Sequence, residues 1–223
     1  MTKAIIFKEW LKTRRTFLIE LLVAMLMAAY AIMCIRRVAT SHGVEHVWLI
    51  MLMKDQTFID SLKYLPPVLG LVLALTQMVP ETRLKRLKLT LHLPVSNRRV
   101  IATMLGVGVA ELLTIFILQL GVVAGYYATI ITPEMTLHVV LTTLPWYIAG
   151  VIAYMFGCAA CLEGRWRRRV VVGLLGLASV SVFYLQNMPQ AYNGMIIGAV
   201  VFCCLLVWLS FLSVIRFKEG LID

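Results

Sequence analysis

Glu111 is the residue whose chemistry most needs an explanation. It lies roughly three turns into a long apolar run, where a carboxylate costs a few kcal/mol unless it is paired, hydrated or protonated. Such a group can line a substrate path, meet a second subunit, or make a helix–helix hydrogen bond. Glu20, one turn inside the first apolar run, can snorkel to the interface or pair with a Lys or Arg of the preceding segment. His42-x-x-x-His46 on a helix would set two imidazoles on one face, the beginning of a metal pair. No third ligand is fixed beside them, and a solvated loop accounts for them more simply. Cys158-Ala-Ala-Cys161 has redox or metal spacing but neither a second pair nor a nearby histidine. The five cysteines all sit in apolar runs or at their ends and read as small buried hydrophobes. No G-x-x-x-x-G-K-[ST], H-E-x-x-H or G-x-S-x-G pattern occurs, so a catalytic role of its own is disfavoured.

The remaining chemistry is concentrated in one basic stretch, residues 80–99, which runs Pro-Glu-Thr-Arg-Leu-Lys-Arg-Leu-Lys-Leu-Thr-Leu-His-Leu-Pro-Val-Ser-Asn-Arg-Arg. Leu84, Leu87 and Leu91 share a helix face at steps of three and four. Arg83, Lys85, Arg86 and Lys88 supply charge for acidic groups or lipid phosphate. Residues 87–93 also alternate with period two, as a half-buried strand would, but a lone strand leaves backbone groups unpaired at a membrane surface. The stretch is therefore expected to be helical to about Leu91 and then extended as far as Pro94.

The elements that must hold these groups are membrane spans. Hydrophobic residues make up 61% of the 223 and charged residues 14%, with a mean hydropathy of +0.89. That composition belongs to an integral membrane protein rather than a soluble domain. A net charge of +10 suggests nucleic acid at first sight, but the basic residues sit in short clusters between apolar runs. Six spans are predicted, at about 17–35, 58–78, 100–128, 137–162, 170–185 and 195–215, in one transmembrane domain covering 1–223. Residues 2–15 read as an amphipathic interfacial helix, or equally as a straight continuation of the first span. Residues 36–55 read as a mixed loop whose 47–53 segment dips into the interface. Pro66-Pro67 implies a kink or a helix start, Pro80 a stop, and Ser96 an N-cap. Of 21 Lys and Arg, all but Arg36, Arg37, Lys54 and Lys63 lie on one side of this scheme, which puts both termini and the basic stretch in the cytoplasm.

A six-span, N-in/C-in chain with these features resembles the permease subunits of type-2 ABC exporters. The specific part of the likeness is Glu81 after the second span, the short helix over 83–91, and Leu93-Pro94-Val95-Ser96-Asn97-Arg98-Arg99 leading into the third span. Two departures stand beside it. Leu84-Lys85-Arg86-Leu87 occupies the place where the family often has Gly-Thr, and residues 186–193 are too short for the family's two re-entrant helices. Small haem-export-type permeases share this compactness.

The resemblance implies an all-α integral membrane protein with a cytoplasmic coupling helix between spans two and three. Glu81, Arg83, Leu84, Lys85, Arg86, Leu87, Lys88, Leu91 and Pro94 would couple it to a separate ABC ATPase subunit that binds the ATP and Mg. A second copy of the chain or a related permease would complete the path, with Glu111 and Glu20 as path or interface residues. Membrane lipids are the other partners, nucleic acid is not one, and the place is a cell membrane, the bacterial inner membrane by family habit. The competing reading is a membrane scaffold or assembly factor whose basic loops only bind anionic lipid.

Overall fold

In a bilayer every backbone N–H and C=O must be satisfied within the chain, so long apolar runs fold as helices. The computed structural model describes residues 2–55, 57–83, 96–186 and 188–218, and no strand occurs among them. Seven α-helices follow in order: α1 (Thr2–His42), α2 (Val44–Lys54), α3 (Leu65–Arg83), α4 (Asn97–Tyr127), α5 (Pro133–Leu162), α6 (Trp166–Ser181) and α7 (Ile196–Lys218). Short 3₁₀ turns lie at Asp60–Leu62, Val182–Tyr184 and Asn193–Met195.

Four of the helices, α1, α3, α4 and α5, are long and apolar enough to cross a membrane. With 16 residues, α6 is about 24 Å long, short of a hydrocarbon core of about 30 Å. The architecture fits a membrane protein. Large apolar side chains face outward along one side of several helices, among them Leu18, Ile19 and Leu22 of α1 and Ile117 of α4. Apolar faces of that size suit lipid tails as solvent.

The centre is α5, whose residues from Trp146 to Ala159 are almost wholly inside. It packs on α3, α4, α6 and α7, while α1 lies against α4 and α3. A helix apolar on all sides belongs in such a position. The α3–α5 crossing is unusually close: a Cβ added at Gly70 would stand 2.1 Å from the Gly150 carbonyl oxygen, and one at Gly150 would stand 2.8 Å from that of Pro66. Glycine is the residue that permits this approach. Gly70→Ala should therefore lower stability by about 1–3 kcal/mol, because backbone must move to admit the methyl. Thermal unfolding in mild detergent measures it, and an unchanged midpoint would refute the close approach.

Several local expectations are corrected. The N-terminal segment is not a separate interfacial helix, since α1 runs unbroken through 41 residues, about 62 Å. Its apolar flank, Ile6, Phe7, Trp10 and Leu11, points outward, and its polar flank packs inward, with Glu9 and Thr13 fully buried. Residues 36–55 are helical rather than a loop. Gly43, at φ +84°, turns the chain from α1 into α2, which buries Val47 and Met51 against α1. Pro66-Pro67 starts α3, where missing N–H groups cost nothing. Pro80 does not stop it, and α3 continues to Arg83 because its last turn is anchored from outside by ion pairs. Ser96 holds the N-cap position of α4 through its carbonyl, which accepts from Arg99 N–H at 2.9 Å, and its side chain makes no cap bond. The basic run after α5 enters the next helix, since α6 opens at Trp166 and takes Arg167, Arg168 and Arg169 into its first turns.

Candidate functional site

One end of the bundle gathers the N-terminal part of α1, the last turns of α3, the first turns of α4 and the C-terminal half of α5. On α1, Glu9, Thr13 and Glu20 recur at steps of four and seven, so they share a face. On α3, Gln77 and Glu81 are four apart and also share one. Where these faces meet, the bundle buries Glu9, Thr13, Gln77, Glu81 and Tyr154. Glu20 and Glu111 are almost as enclosed, at 2% and 5% exposure.

Charge is balanced first between α1 and α3. The Lys12 ammonium lies 2.7 Å from Glu9 Oε2 and 3.2 Å from Glu81 Oε1. Lys8 approaches the same Glu81 oxygen at 3.0 Å and Glu9 Oε1 at 4.0 Å. Two lysines thus bridge two buried carboxylates, with Lys12 half-buried and the Lys8 side chain 40% exposed, and a buried carboxylate of this kind depends on staying paired. Gln77 carries the network deeper. Its Nε2 donates to Glu9 Oε2 at 3.0 Å and to the Met104 carbonyl of α4 at 2.8 Å. Tyr154 of α5 donates to Gln77 Oε1 at 2.6 Å. One amide side chain therefore joins all four helices.

A second branch runs along the α1–α4 seam. Thr13 donates to Glu111 Oε1, with the Glu9 carbonyl as its other acceptor at 3.0 Å. Further along, Gln119 donates to the Ala24 carbonyl at 3.1 Å, and Tyr147 lies 3.4 Å from Gln119 Oε1. Between the two contacts is Glu20. It neither snorkels nor pairs, because its carboxylate is buried and neither oxygen has a hydrogen-bond partner among the described residues. Glu111 Oε2 is likewise unpartnered among them. Nor does Glu111 stand nearly alone, as its apolar surroundings in the sequence imply. It is tied to α1 through Thr13, which is the helix–helix hydrogen bond of the sequence reading.

Of the expected coupling residues, Glu81 is at the heart of this cluster and Arg83 ends α3. Leu84, Lys85, Arg86, Leu87, Lys88, Leu91 and Pro94 lie outside the described residues. Sequence reasoning missed Glu9, Lys12, Thr13, Gln77 and Tyr154. The signal for the first three was the polar stripe on α1, hidden because an amphipathic interfacial helix turns such a stripe to the lipid headgroups and not to other helices. Tyr154 carries no such signal in a run that is apolar throughout.

The remaining candidates carry less. His42 and His46 have ring centroids 5.1 Å apart, but no group of three or more metal-ligating side chains occurs among the described residues. The cysteines are free thiols, Cys158 buried and Cys204 exposed. At the opposite end of the bundle a cavity of about 920 Å³ opens among Asp60, Lys63, Tyr64, Trp146 and Tyr192. The Lys63 ammonium lies 5.6 Å from the Tyr64 ring centroid and 5.8 Å from that of Tyr184. No family model, no curated protein and no solved structure matches the chain.

Proposed function

We propose that the chain is the permease subunit of an ATP-driven exporter of the type-2 ABC class, with six spans, both termini cytoplasmic, and the 80–99 segment docking on a separate ATPase subunit. The observation that carries this reading is the clamp on Glu81. The residue at the root of the proposed docking segment is buried and held by Lys8 and Lys12 of the first helix. A push on the segment would then move α1 and α3 as one body, and through Gln77 and Thr13 it would reach α4 and α5. A segment that only touched anionic lipid would have no use for such a linkage.

Further support comes from where the charges fall. The basic groups of α1's first turns, of α4's start and of the α5–α6 junction meet at the end that carries Glu81, as expected of a cytoplasmic face. The 920 Å³ cavity at the far end is the natural exit vestibule. The membrane is the cell membrane, bacterial inner membrane if the family habit holds, and ATP and Mg are bound by the partner. Glu111 and Glu20 lie along the seam that would shear.

The test is co-purification with an ATPase subunit from mild detergent, together with Leu84→Asp/Leu87→Asp. The double variant is expected to abolish association and transport while leaving the membrane level of the chain unchanged. A chain that purifies alone, and a double variant without effect in cells, would sink the proposal. Reversal of Lys85, Arg86 and Lys88 mattering while the leucine face does not would point to the lipid-binding scaffold instead.

A further inference from the structure

A groove between α3, α5 and α6 is not accounted for by the coupling network. At the basic end it begins as a cavity of about 510 Å³ walled by Leu71, Leu75 and Val79 of α3 and Ala160 of α5, with Thr82 and Arg169 at its polar end. A second cavity of about 280 Å³ shares Leu71, Gly157 and Ala160 with it and continues past Gly173 and Gly176 of α6. From Thr82 to Pro67 the groove follows 15 residues of α3, about 22 Å at the helical rise, and one leaflet's hydrocarbon is about 15 Å deep. Its rims are apolar and outward-facing, with Leu71 47% and Leu177 71% exposed. It is a slot with the length and lining of an acyl chain.

The polar end has the opposite character. Arg165, Arg167, Arg168 and Arg169 crowd around the start of α6. Arg169 Nη2 donates to the Glu163 carbonyl at 2.9 Å, which holds its guanidinium at the mouth of the slot and leaves its other donors for an anion. Arg165 occupies the N-cap position of α6, and its Nε is shut off from solvent with no hydrogen-bond partner among the described residues. The first N–H groups of α6 add to a positive end. Glu163 supplies the one carboxylate of this cavity's wall, and it is buried at 5% exposure. Trp166, 72% exposed, is the side chain expected at headgroup depth. Basic pockets between membrane helices next to apolar channels recognise anionic headgroups.

We propose that this groove holds one anionic phospholipid of the surrounding bilayer, with an acyl chain along α3, α5 and α6 and its phosphate at Arg165 and Arg169. The lipid is a bound structural ligand, and the assignment is independent of whether the chain transports anything. It would tie the start of α6 to the last turns of α3, next to the Glu81 clamp.

Gly173 permits a clean test. A Cβ added there meets nothing within 4 Å, so Gly173→Leu has room at its root to project into the slot, and by helix propensity it should favour α6. Purified chain in neutral detergent would be titrated with dioleoylphosphatidylglycerol, dioleoylphosphatidylcholine or inorganic phosphate, with retained lipid read by native mass spectrometry and the unfolding midpoint read in parallel. Wild type is expected to retain one phosphatidylglycerol and to rise in midpoint with it, with at least tenfold weaker response to phosphatidylcholine and none to phosphate. Gly173→Leu and, separately, Arg165→Gln/Arg169→Gln are expected to lose retention and the midpoint shift, while Gly173→Leu without lipid unfolds no earlier than wild type. Equal response to phosphatidylcholine, a response to phosphate alone, or full retention by either variant overturns the proposal. The arginine variant, confined to the junction before and at the start of α6, covers the case in which Gly173→Leu does not fold.

Discussion

Lys12→Met is expected to lower the stability of the bundle by about 3 kcal/mol, the cost of leaving a buried carboxylate without its cation. Lys12 is the nearest cation to Glu9 at 2.7 Å, and its removal leaves Glu9 only the Lys8 ammonium at 4.0 Å. Glu81 keeps Lys8 at 3.0 Å, so the damage centres on Glu9. The number is set by the uncompensated charge rather than by the worth of the pair, and a second substitution separates the two. Glu9→Gln in the same chain restores local balance, because Lys8 and Glu81 remain as one pair and the new amide oxygen can still accept from Gln77. The double variant should regain most of the loss. Unfolding midpoints in detergent for wild type, single and double variants decide it, and a neutral single variant would mean that the cluster is hydrated and not closed.

Glu20→Leu should act in the opposite direction, raising stability by about 2–3 kcal/mol. A carboxylate with both oxygens out of water and without a hydrogen-bond partner among the described residues carries a desolvation penalty that a leucine of similar size does not. Stabilising substitutions of this kind commonly damage function when the strained group is the working one. If the α1–α4 seam takes part in export, Glu20→Leu should be a more stable chain with impaired transport. A variant that is less stable would show that Glu20 has a partner in the folded membrane protein, and one both stable and fully active would remove it from the path.

The two variants probe different halves of what the amino-acid order makes visible. The apolar runs and the clustered Lys and Arg announce helices in a membrane, and the positions of α4, α5 and α7 follow them to within a few residues. Glu111 is legible because an acid among Leu, Ala and Val is conspicuous. Lys12 is not, because Lys next to an apolar flank reads as an interfacial cation until its partner is known. The partner that ties Lys12 to another helix, Glu81, is 69 residues away. The inward-facing polar flank of α1 is hard to see for a related reason. In lipid the apolar flank of a helix faces the solvent and the polar flank can face the protein, the reverse of the rule for water. The Pro80 stop failed on a comparable point, since a tertiary clamp on Glu81 outweighs the local preference of proline to end a helix.

The length of α1 and the distance of its partners along the chain bear on how the protein is made. The partner of Lys12 follows 69 residues later, and that of Thr13 follows 98 residues later. At a synthesis rate of about 5–20 residues per second, the first helix waits roughly 3–14 s for Glu81 and about 5–20 s for Glu111. During that interval Glu9, Lys12 and Glu20 have only each other and water. The apolar run of α1 is the most hydropathic of the four long helices and can enter lipid by itself, but the polar turns before it are fixed in place only when α3 and α4 arrive.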